Sequence, residues 1–78
     1  MTTFNISLSS INSVKNFVNT VNRYDFDVDL ASGRYVVDAK SIMGIFSLDL
    51  SKPIKLEAYC DDAAIESFKA AMKEFIVD

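Results

Sequence analysis

The chain contains no histidine and no tryptophan, and it has one cysteine, one proline and two glycines among its 78 residues. Each scarcity removes a class of function. Without histidine there is no imidazole to pass a phosphoryl group, to act as a base near neutral pH or to ligate zinc. A serine or cysteine nucleophile would need a lysine or carboxylate base instead, and no motif of that kind is present. Cys60 stands alone, which excludes an internal disulfide and a Cys/His metal framework. It reads as a small, buried apolar residue, and its neighbour Asp61 opposes any lowering of the thiol pKa. Gly33 and Gly44 lie too far apart to form a phosphate-cradling loop. Basic residues number 8 against 11 acidic ones, and the formal charge of -3 leaves no electrostatic footprint for direct nucleic-acid binding. No apolar stretch approaches the ~20 residues of a membrane span, and the first residues lack the basic start of a leader. The expectation is a non-enzymatic, cofactor-free and cytoplasmic protein, a single domain over residues 1–78 that is a monomer or a weak homodimer.

What is present is strongly patterned. Phe4, Ile6 and Leu8 alternate with Asn5 and Ser7, the period of a strand with one buried face. Ser9 and Ser10 then offer a helix cap, and Ile11, Val14, Phe17, Val18 and Val21 follow three-and-four spacing, predicting a helix over Ile11–Asn22. Tyr24, Phe26, Val28 and Leu30 alternate with Asp25, Asp27 and Asp29, and Tyr35–Val37 follows after Gly33, so a hairpin is expected. The three aspartates would share one solvated strand face, roughly 7 Å apart, where they do not converge tightly enough for a hard cation.

Pro53 marks the start of a further strand over Ile54, Leu56 and Ala58, with Lys55 and Glu57 on its wet face. Asp61 and Asp62 suit the positive end of a last helix, whose buried stripe is Ile65, Phe68, Met72, Phe75 and Ile76. The order is β-α-β-β-α-β-α. Four strands and three one-sided helices predict an α+β two-layer sandwich, with the helices on one face of the sheet and the other face solvated.

The most informative segment is Ala39-Lys40-Ser41-Ile42-Met43-Gly44-Ile45-Phe46-Ser47-Leu48. It opens a short helix at a hydroxyl and carries more apolar residues than two turns can bury, because a core-facing stripe is little more than ~100° wide. Ile45 and Leu48, three apart, are placed to face inward. Ile42, Met43 and Phe46 are then left around Ser41 as an exposed apolar knuckle. As an N-cap, Ser41 is worth about 1 kcal/mol, a role compatible with modification of the same hydroxyl. Phosphate there would meet the first-turn N–H groups and alter the surface rather than the fold.

Through these residues the chain resembles the HPr family, the phosphocarriers of the bacterial sugar phosphotransferase system. Asp38–Leu48 is similar to that family's Ala-Lys-Ser-Ile-Met-Gly signature around a regulatory serine, and the likeness extends more weakly over most of the chain from Phe17 onward. The resemblance implies an HPr-like open-faced sandwich on a four-stranded antiparallel sheet.

In the family a histidine before the first helix carries the phosphoryl group, supported by an arginine. A gap-free count places Ser10 at that histidine, Asn12 at the arginine and Ser13 at the proline that follows, so Ser10 and Asn12 are a degenerate carrier position. A serine ester is too stable to pass its phosphate on, and Ser10 is better read as a helix cap.

The regulatory half of the family remains. The resemblance implies phosphorylation of Ser41 by an HPr kinase/phosphorylase and contact with a catabolite-control transcription factor through Lys40, Ile42, Met43 and Phe46. Catabolite-repression HPr, a branch that also lacks the histidine and keeps the serine, is similar in this logic. The alternative is an HPr-fold adaptor that works without phosphate and without any role in sugar phosphotransfer.

Overall fold

The computed structural model describes residues 1–77. Along the chain it places β1 (Thr2–Ile6), α1 (Ile11–Val21), β2 (Val28–Ser32), β3 (Tyr35–Asp38), α2 (Ile42–Phe46), β4 (Ile54–Ala58), α3 (Asp62–Ala71) and β5 (Ile76–Val77). The strands form one antiparallel sheet in the order β3-β2-β4-β1-β5. The α+β sandwich expected from the alternating strands and one-sided helices is therefore present. Its sheet has five strands, one more than the pattern indicated.

The extra strand comes from the end of the last amphipathic stretch. The apolar spacing from Ile65 to Ile76 reads as one helix, but α3 ends at Ala71 and Met72 caps it. The Phe75 N–H returns to the Met72 carbonyl at 2.8 Å, and the Phe75 carbonyl accepts the Ser7 N–H, also at 2.8 Å. That turn sets Phe75 edge-on against Phe17, ring centroids 5.5 Å apart, and aligns Ile76 with Ile6 of β1. Burial of Phe75 is satisfied by the turn as well as it would be by another helical turn.

The second strand also starts later than its alternation suggests. Tyr24 and Phe26 share a side, as strand residues would, but the Tyr24 N–H bonds the Val21 carbonyl at 3.1 Å in a turn that follows α1. Both rings close on Phe68, with centroid distances of 5.1 and 5.2 Å. The aspartate row is corrected accordingly, since only Asp29 lies in β2, Asp25 sits in the preceding bend, and Asp27 lies between them with its carbonyl accepting the Tyr59 N–H at 2.9 Å. Acidic side chains instead align across strands: Asp29 is registered with Asp38 of β3 on one side and with Glu57 of β4 on the other. Lys55, on the same open face, approaches Glu57 at 3.6 Å.

The core lies between the helices and the inner sheet face and contains Ile6, Val14, Phe17, Leu30, Ile45, Leu56, Phe68 and Met72. Ile11 is a departure from the expected stripe. It is 63% exposed because it occupies the first helical position, just after the Ser10 cap. Cys60 is half-buried at the core margin rather than enclosed. Gly33, at φ 60°, supplies the positive dihedral that the two-residue loop between Ser32 and Tyr35 requires.

Tyr59 extends from β4 toward the acidic part of the open face, and its phenol is held above its ordinary pKa of 10.0, first by desolvation and then by the Asp29 and Glu57 carboxylates. A raised phenol pKa means that the folded state retains the proton longer than the unfolded chain. The resulting contribution to stability is full below pH 10.0 and is lost as pH rises through the folded pKa. Tyr59→Phe is therefore expected to flatten the alkaline limb of a stability-versus-pH curve, with an unchanged limb contradicting this assignment.

Candidate functional site

Ser41 precedes α2 in an extended conformation, φ -101° and ψ 107°, and its Oγ accepts the Gly44 N–H at 3.2 Å. The Ser41 carbonyl accepts the Ile45 N–H at 3.1 Å. One exposed residue thus closes the first turn with both its side chain and its backbone. Gly44 permits this close arrangement, because a Cβ there would stand 3.3 Å from both Ser41 Oγ and Val37 Cβ. At the other end of the helix, the Ser47 hydroxyl donates to the Gly44 carbonyl.

Ile45 and Leu48 turn into the core. Met43 and Phe46 stay outside, 77% and 41% exposed. Ile42, expected to be fully outside with them, is half-buried against the core margin. Ile42 lies three residues before the buried Ile45, close to the same helix face, and is drawn with it toward the core. Lys40 also differs from a free contact residue: its ammonium donates to the Tyr24 carbonyl at 2.8 Å, tying the start of α2 to the turn after α1. Asp38 secures the same approach, accepting the Lys40 N–H at its carboxylate (2.9 Å) and the Ser41 N–H at its carbonyl (3.0 Å). Periodicity gave no signal for the Lys40 anchor, since a lysine's partner sixteen residues away is set by tertiary contact.

Ser10, expected from the resemblance at the family's histidine position, caps α1. Its Oγ accepts the Ser13 N–H at 3.1 Å, and its hydroxyl lies 3.1 Å from the Ser13 oxygen. Asn12, two residues after the cap and within the first turn, is exposed. Beside them is an open recess of about 290 Å³ lined by Ser7, Ser9, Ser13, Asn16 and Glu74. No lysine or arginine lines it, and Glu74 adds a negative charge, so its electrostatics disfavour a phosphoryl group. Among the described residues, no group of three or more His, Cys, Asp or Glu side chains could hold a metal ion, and no helix is long and apolar enough to cross a membrane.

The site is a helix-capping serine beside an exposed apolar pair, on a small open-faced α+β sandwich with an antiparallel sheet. Residues 11–78 match the family described as "PTS HPr component phosphorylation site", and the chain belongs to this HPr family. The match opens at Ile11, immediately after Ser10.

Among solved structures, the chain is similar to HPr-C-His from Thermoanaerobacter tengcongensis, with 28% identity and a TM-score of 0.74 over 95% of this chain and 93% of that one. It is similar to the phosphocarrier protein HPr from Bacillus anthracis str. Ames, with 28% identity and a TM-score of 0.66 over 90% and 92% of the two chains. It is also similar to Crh, the Bacillus subtilis catabolite repression protein, whose crystal structure is a swapped dimer. There the identity is 30% and the TM-score 0.64, over 94% of this chain and 88% of that one. No curated protein matches the chain significantly. The family comprises phosphocarriers and regulators rather than enzymes.

Proposed function

We propose that this chain is a regulatory HPr-like protein, phosphorylated on Ser41 and contacting a protein partner through the surface that Met43 and Phe46 present. The observation that carries this reading is a division between the two serines. Both cap a helix with their Oγ, but Ser10 lies beside a recess that no lysine or arginine lines, whereas Ser41 lies next to two exposed apolar side chains, Met43 and Phe46.

Phosphate on Ser41 adds nearly two negative charges at the first turn of α2, where N–H groups and the peptide dipoles favour an anion. The backbone need not rearrange, and the recognised surface becomes a charge flanked by apolar side chains. By family resemblance, the modifying enzyme is an HPr kinase/phosphorylase in the cytoplasm and the partner is a catabolite-control transcription factor. The chain itself, at net charge -3, makes no direct nucleic-acid contact in this scheme. Ile42 contributes from beneath as a half-buried support, and Lys40 positions the segment through Tyr24.

The test is calorimetric titration of the transcription factor with the unmodified protein, the Ser41-phosphorylated protein and phosphorylated Phe46→Ala. Phosphate is expected to tighten binding, and Phe46→Ala to weaken the phosphorylated complex by about tenfold or more, as loss of an aromatic interface anchor does. Equal binding by unmodified protein, phosphorylated protein and Ser41→Ala would favour the phosphate-independent adaptor, for which only the exposed apolar side chains matter.

A further inference from the structure

A second recess, of about 430 Å³, lies between the turn joining β2 to β3 and the segment that follows α2, beyond the opposite end of that helix from Ser41. Its volume is in the range of small-molecule sites. Arg34 of the turn and Lys52 of the segment both line it. Tyr35, 72% exposed, and Leu48 give it an apolar wall.

Two cations in one recess are a local departure for a chain of net charge -3. Lys40, Lys55 and Lys69 are each engaged, on the Tyr24 carbonyl, with Glu57 and over the Phe4 ring. Among the described residues, neither the Arg34 nor the Lys52 side chain has an ion-pair or hydrogen-bond partner within the chain. The recess beside Ser10 has no cation at all.

The remaining polar groups of the lining are acceptors. The Ser47 hydroxyl donates to the Gly44 carbonyl, which leaves its oxygen free to accept. Asp49 takes the Ser51 hydroxyl and N–H on one carboxylate oxygen, Oδ1, and these bonds hold its carboxyl below the ordinary pKa, so it is ionised. Its second oxygen has no partner among the described residues.

This combination selects a ligand. A bare anion would satisfy Arg34 and Lys52 but meet the charge of Asp49, and a neutral polyol would satisfy Asp49 and Ser47 but leave both cations unused. A molecule that carries an anionic group and hydroxyl donors on one carbon skeleton uses the whole lining. Two cations suit a dianionic phosphate better than a single carboxylate.

We propose that this recess binds a small phosphorylated carbohydrate, its phosphate on Arg34 and Lys52, its hydroxyls donating to Asp49 and Ser47, and its carbon skeleton against the Tyr35 ring. The assignment does not depend on modification of Ser41.

The test uses ribose-5-phosphate as the probe, titrated into the full, isotope-labelled chain and followed by backbone amide resonances. Saturable shifts are expected at Gly33, Arg34, Ser47 and Asp49, with inorganic phosphate and ribose each binding about tenfold more weakly. Arg34→Gln and Lys52→Gln, both at exposed positions, are each expected to weaken ribose-5-phosphate about tenfold. Asp49→Asn removes the charge that discriminates against a bare anion, so the preference for ribose-5-phosphate over inorganic phosphate should fall.

No saturable shift up to about 10 mM probe would overturn the proposal. Equal binding of inorganic phosphate, unchanged binding by both glutamine variants or an unchanged preference in Asp49→Asn would also overturn it, by reducing the recess to a patch of charge. Phosphatidylcholine vesicles containing phosphatidylinositol phosphate offer the same chemistry on a lipid. The net charge of -3 opposes an anionic membrane, so the protein is expected to stay in the supernatant when they are sedimented. Pelleting that Arg34→Gln abolishes would overturn the assignment to a free ligand.

Discussion

Phe68→Ala is expected to lower the free energy of unfolding by about 3–5 kcal/mol, the range for deleting a buried aromatic ring. The whole stability of a domain of 78 residues is on the order of 4–12 kcal/mol, so this variant should be partly unfolded near physiological temperature. Phe68 is 1% exposed and its ring is shared. Tyr24 meets it edge-on at 5.1 Å, Phe26 at 5.2 Å and Phe4 in a tilted contact at 6.2 Å. Removing it leaves three rings without their common neighbour.

The loss extends to the Ser41 segment, because the Tyr24 carbonyl anchors the Lys40 ammonium one residue before Ser41. Urea unfolding measures the effect as a large fall in midpoint with the slope unchanged. Phe46→Ala, at a position 41% exposed, should move the midpoint little. If both variants lost similar stability, the division between core ring and contact ring would be wrong.

Ser41→Ala is expected to lose all phosphate incorporation and about 1 kcal/mol of stability together, because the Oγ that we propose as phosphate acceptor is also the N-cap of α2. Ser41→Asp separates the two effects. Aspartate caps as well as serine and its charge suits the first helical turn, so it should restore the stability while remaining unphosphorylated. The comparison is made by thermal unfolding alongside phosphate incorporation. Destabilisation of Ser41→Asp as large as that of Ser41→Ala would mean that a negative charge at this turn disturbs α2, against the view that phosphate changes only the surface.

Much of this architecture was legible because local signals agreed with tertiary packing. The Ser10 and Ser41 caps, Asp61 and Asp62 at the start of α3, the Gly33 turn, Pro53 before β4 and the inward pair Ile45 and Leu48 all lie where hydroxyl, carboxylate, glycine and spacing placed them. The failures share a cause: apolar spacing reports burial, not the backbone that achieves it. Tyr24 and Phe26 alternate as strand residues do but reach Phe68 from a bend, and Ile76 continues a helical stripe but lies in β5.

At the site, Ser41, Met43 and Phe46 stand as the crowded decapeptide required. Ile42 and Lys40 do not stand free, because their positions depend on how α2 meets the core and the turn after α1. The apolar run Tyr35-Val36-Val37 gave no sign that only Val37 packs against the core, since an edge strand is distinguished by neighbours remote in sequence.

The most direct test of Ser41 as a regulatory phosphorylation site is intact-mass spectrometry after incubation with an HPr kinase/phosphorylase and ATP, with Ser41→Ala in parallel and a histidine-bearing HPr as control. One phosphate gained by the wild type and none by the variant is the expected result. A wild type that stays unmodified while the control is phosphorylated in the same tube, or a phosphate retained by Ser41→Ala, would contradict it.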